Sequence, residues 1–164
     1  MAHQINLIIG RLYKEMMVDF ISKLNVLVQK LRRQDFNEPL KKKSLHLYDK
    51  ILKVRGIAET RWNSAYSCTV SFYKIKTALL ETKEEYYRTT EKSKRIKDFE
   101  LLDEKFFKDC YVFGKVLKPL FYASVKMQAK SANISDAMTA LLDLYGSFYR
   151  IIDDDLNNDV NLEG

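Results

Sequence analysis

With 164 residues, 46% of them hydrophobic and 12% aromatic, the chain is long enough for one packed domain or one large piece of a domain. Five Gly and two Pro are too few turn residues for a sandwich or barrel, and no apolar run is long enough to cross a bilayer. The net charge of +6 is unevenly placed: Lys30 to Arg61 is strongly basic, whereas Arg150 to Gly164 holds one cation among five acids.

Apolar residues recur at helical spacing almost throughout. Ile5, Ile8, Ile9, Leu12 and Met16 form one stripe. Met17, Phe20, Ile21, Leu24, Leu27, Val28 and Leu31 continue it, on the same helix or on a second one. A further helix is predicted from about Glu38 to Lys53, with Asn37 as its cap and Pro39 in its first turn. Gly56 is read as a stop. Thr60 or Asn63 then caps a helix reaching about Tyr87, with Tyr66, Val70, Tyr73 and Leu80 along one side.

Residues 88–97, RTTEKSKRIK, read as a polar loop. The next predicted helix runs from Phe99 to about Lys118, and Pro119 kinks or restarts it. The clearest stripe is the last: Ile134, Ala137, Met138, Leu141, Leu142, Tyr145, Phe148, Tyr149 and Ile152. Ser131 or Asn133 caps this helix, and Asp136 stands in its first turn. A frayed acidic tail is expected from residue 154. The expectation is an all-α bundle of six to seven helices forming one unit over 1–164. Its segments are 1–35, the basic helix and loop 36–59, the tryptophan-bearing helix 60–87, the loop 88–97, the helices 98–153 and the tail 154–164.

No catalytic constellation stands out. His3 and His46 lack neighbours at metal-ligand spacing. Three successive acids, Asp153, Asp154 and Asp155, point different ways on a helix and make a poor cage, so a solvated helix end is the reading. Cys68 and Cys110 suggest neither a disulfide framework nor a zinc site, and fit two thiols in a reducing, intracellular compartment. No secretory leader is read.

The single tryptophan, Trp62, follows Arg61 at the edge of the basic block. Two readings stay open: an ordinary core ring, or a surface that stacks on an exposed base, worth roughly 1–3 kcal/mol per base. Basic stretches are most often solvated helix faces, and a polyanion partner is the alternative for this one.

Two segments together resemble the hAT family of DNA transposases. In MAHQINLIIG, residues His3, Asn6 and Leu7 match a Cys-x-x-His segment followed by Asn-Leu; the family's Cys (or Asp) would fall one position before Met1. About 55 residues on, ETRWNSAY is similar to the family's Thr-Arg-Trp-Asn-Ser segment, through Thr60, Arg61, Trp62, Asn63 and Ser64. Downstream, FKDCYVFGKVLKPLFYASVKMQ is similar to a family helix with an aromatic start and a Leu-x-Pro.

The resemblance implies the end of an RNase H-like core followed by part of a helical insertion, and a nuclear location. It also implies that Trp62 stacks near a transposon end, that Arg61 neutralises a phosphate, and that Thr60, Asn63 and Ser64 shape the turn. His3 would sit by the cleavage site. The family cuts DNA with two Asp and one Glu around Mg²⁺, and none of the three is placed here. The expectation is therefore a truncated or excised piece with no cofactor and no independent catalysis.

DNA is the expected partner, with phosphates met by Lys30, Arg32, Arg33, Lys41, Lys42, Lys43, Lys50, Lys53 and Arg55. Self-association stays open; no membrane and no small-molecule substrate are expected. The rival is a helical interaction or scaffold domain that has lost DNA binding. A third reading is a nuclease completed in trans by missing core pieces.

Overall fold

A computed structural model describes residues 10, 11, 15, 17–58, 62–128 and 133–160, with backbone only for Trp62 and for 154–160. All regular elements among these residues are helical: α1 (Val18–Leu31), α2 (Gln34–Tyr48), α3 (Trp62–Lys74), α4 (Lys76–Thr89), α5 (Glu104–Met127) and α6 (Ile134–Val160). Two 3-10 turns, Lys92–Lys94 and Lys97–Leu101, lie between α4 and α5. The chain divides into two compact units, Met16–Val112 and Met1–Glu15 with Phe113–Gly164.

The first unit forms around the predicted stripe of α1. Phe20, Ile21, Leu24, Leu27, Val28 and Leu31 are all buried, as expected for apolar residues three and four apart. α1 packs on the second 3-10 turn and on α3, while α2 packs on α4. Two aromatic clusters fill the interior. Phe36, Tyr86 and Phe99 meet with centroids 4.1 to 5.8 Å apart. Phe20, Phe72 and Phe107 surround Phe106 at 5.3 to 6.0 Å.

Several boundaries differ from expectation. α2 starts at Gln34 behind Arg33, whose carbonyl accepts from the Phe36 and Asn37 amides, so Asn37 and Pro39 lie inside the helix. It ends at Tyr48, where Asp49 takes a left-handed conformation with φ 55°; short acids tolerate this region better than most residues. The helix expected from 60 to 87 is two helices, separated by a turn at the buried Ile75. The buried face of α3 is Ala65, Cys68, Thr69 and Phe72, not the predicted side through Tyr66, Val70 and Tyr73. Phe99 lies in a 3-10 turn, fully buried, rather than opening α5.

The loop 88–97 is fastened rather than free. Arg95 Nε donates to the Thr90 carbonyl at 3.0 Å, its Nη2 donates to the Tyr87 carbonyl, and its guanidinium lies over the Tyr87 ring. Lys83 Nζ donates to the Leu102 carbonyl at 2.7 Å.

In the second unit, α5 continues through Pro119 without stopping, at the loss of one backbone hydrogen bond. The Asp136 amide donates to Asn133 Oδ1 and the Asn133 amide to Asp136 Oδ2, both at 3.0 Å, a reciprocal cap at the start of α6. Ser131, the other candidate cap, lies outside the described residues. The α6 backbone stays helical to Val160, where a frayed tail was expected from 154.

Candidate nucleic-acid interface

Between α2 and α3, residues 50–57 form a strap without regular secondary structure. Exposure alternates along it: Ile51, Lys53 and Arg55 are exposed, while Leu52 and Val54 are partly covered. Three serines fasten it. The fully buried Ser44 donates to the Lys50 carbonyl at 3.1 Å and accepts from the Leu52 amide at 2.8 Å. Ser71 accepts from the Arg55 amide at 2.9 Å. Ser64 donates to the Ala58 carbonyl at 3.2 Å and accepts from the Ala58 amide at 2.8 Å. The strap therefore has a fixed outer edge carrying Lys53 and Arg55, and it leads to Trp62, the first residue of α3.

The basic block splits into two groups. Lys30 pairs with Asp98 at 3.2 Å, and Arg33 makes a fork on Asp35 at 3.0 and 3.2 Å. Lys41 pairs with Glu38 at 2.6 Å, and Lys43 reaches Glu85 at 2.9 Å and Glu81 at 3.8 Å across the α2–α4 contact. These hydrogen bonds hold the Asp35, Glu38 and Glu85 carboxyls below their usual range and push the Arg33 guanidinium up. Arg32, Lys42, Lys50, Lys53 and Arg55 are exposed and make no ion pair among the described residues. Arg32 Nη2 lies 3.4 Å from where a Cβ on Gly56 would stand, so the end of α1 and the strap bring Arg32 beside the Arg55–Gly56 step.

Of the motif residues, Ser64 closes the strap. Asn63 is the second residue of α3, and its Oδ1 is buried without a hydrogen-bond partner among the described residues. His3, Asn6, Leu7, Thr60 and Arg61 lie outside the described residues, as does the Trp62 side chain.

One cationic feature was not read from the sequence. In the second unit, a cavity of about 380 Å³ between α5 and α6 has Lys115, Lys118, Lys126 and Arg150 at its edge. Pro119, Ala123, Ala140 and Leu144 are among the apolar residues lining it. Asp143 offsets part of this charge at 3.8 Å from Lys126.

Cys68 and Cys110 are free and buried; burial pushes the Cys68 thiol up to about 12 and the Cys110 thiol higher still. Among the described residues no three His, Cys, Asp or Glu side chains converge into a set that fits a metal ion. No helix among them is long and apolar enough to cross a membrane. The sequence matches no protein-family model, no curated protein and no solved structure.

Proposed function

We propose that the chain is a helical DNA-binding fragment derived from a hAT-family transposase, acting in the nucleus and without catalysis of its own. The observation that carries this is the group of exposed cations that make no ion pair among the described residues: Arg32, Lys42, Lys50, Lys53 and Arg55. Three of them line a fixed strap that leads to the tryptophan. Phosphates need cations whose charge is not already spent on carboxylates, and Lys53 and Arg55 are held by their backbone with side chains outward. Lys30, Arg33, Lys41 and Lys43 contribute less, because each must leave an acid before it meets a phosphate.

In this reading Trp62 stacks on an unpaired or distorted base at the end of the strap, and Arg61 neutralises the adjoining phosphate. The test is Trp62→Ala, with hairpin and single-stranded DNA as ligands. Binding is expected to fall while stability barely moves. A stability loss of roughly 3–5 kcal/mol would instead make Trp62 a core ring and overturn the stacking role.

A further inference from the structure

α6 is apolar around more of its circumference than its own unit covers. Ala137 and Ala140 are buried and Leu144, Phe148 and Ile151 are partly covered. The other apolar edge faces solvent: Ile134 is 76% exposed, Leu142 68%, Tyr145 72% and Tyr149 64%, with Met138, Leu141 and Ile152 between them. At 100° per residue these seven fall within an arc of about 100° and run about 27 Å along the helix. Asp136, Asp143 and Arg150 fall on the opposite side, so the stripe itself carries no charge.

We propose that this stripe is a homodimer interface, covered by the same stripe of a second copy of the chain in antiparallel register. Area is the first argument. At about 200 Å² for a fully exposed large side chain, the seven residues present roughly 900 Å², more than a monomer ordinarily leaves exposed in one patch and close to the ~800 Å² per partner of a standard stable interface. Self-complementarity is the second. Both aromatic residues sit in the C-terminal half of the stripe, with Ile152, and the other four aliphatic ones sit in the N-terminal half. A two-fold axis near residues 143–144 sets Tyr145 against Leu142 of the second copy, and Tyr149 against Met138 of the second copy. An isologous contact requires such matching of a patch with itself.

The test is sedimentation equilibrium on the full chain up to about 100 µM, at about 50 and about 500 mM salt. A dimer with a micromolar or tighter dissociation constant, nearly insensitive to salt, is expected. Leu142→Glu with Tyr145→Glu is expected to weaken it by about 30-fold or more with the helical circular dichroism unchanged, since both side chains are exposed. Thr139→Glu, on another side of α6, leaves it intact. A wild-type chain that stays monomeric at the highest concentration, as it would if a different protein covers the stripe, overturns the proposal. So does a folded double variant that dimerises as tightly as wild type. The wild-type series decides the matter alone if the double variant fails to fold.

Discussion

Replacing Ser44 by Ala should release the strap. The Ser44 hydroxyl is fully buried and ties two backbone groups, the Lys50 carbonyl at 3.1 Å and the Leu52 amide at 2.8 Å. Each bond has a net worth of about 1 kcal/mol, and the two backbone groups left behind are partly shielded from water, so the loss is about 2 kcal/mol. The methyl group leaves almost no cavity, so packing adds little. In a chain of this size that loss corresponds to a fall in Tm of roughly 4–8 °C. Urea unfolding gives the free energy, and hydrogen exchange at the Leu52 amide shows whether the loss is local. Exchange there should speed up well before the α1 core opens. Stability within about 0.5 kcal/mol of wild type, with Leu52 as protected as before, would refute the reasoning that hydroxyls fix the strap.

Phe99→Ala should be far more damaging, by roughly 3–5 kcal/mol, because the ring is fully buried 4.1 Å from Phe36; chemical denaturation measures it. Lys53→Ala with Arg55→Ala should lower the salt slope of DNA binding by about two phosphate contacts, whereas Lys41→Ala with Lys43→Ala should change it less; fluorescence anisotropy across a salt series compares them. Cys68 and Cys110 should resist a thiol reagent at pH 8 in the folded chain and react fully in denaturant, since burial keeps both protonated. The carboxyls of Asp35, Glu38 and Glu85 are held low, so their pairing stabilises the fold above the ordinary carboxylate range. That contribution disappears as pH falls through their depressed values. Thermal melts from pH 7 to 3 should show the loss, and Lys43→Met should remove the Glu85 share.

Local chemistry was legible where neighbours in sequence settle it. The α1 stripe and the Asn133 cap each span four residues or fewer between partners. Long-range consequences were not legible. Lys43 meets Glu81 and Glu85 only because α2 packs on α4, and Arg32 reaches Gly56 only through the fold of the strap. Asp49 ends α2 in a conformation that composition alone would assign to Gly56. The turn at Ile75 has no glycine or proline to announce it, and Pro119 looked like a break yet is carried inside α5. The last stripe was the clearest in the sequence, but periodicity reports an apolar face without saying what covers it. Of its nine residues Ala137 is buried and Phe148 partly covered, while the other seven are open to solvent. Lys115, Lys118, Lys126 and Arg150 converge only when α5 and α6 pack together.

The central claim is that the exposed cations on the strap and its flanks attach this chain to DNA phosphates. Affinity for a hairpin DNA, measured against salt, tests it most directly. About five phosphate contacts give a slope of log K against log salt of roughly −3 to −5. A slope near zero, or no binding at low salt by a folded chain, would contradict the account.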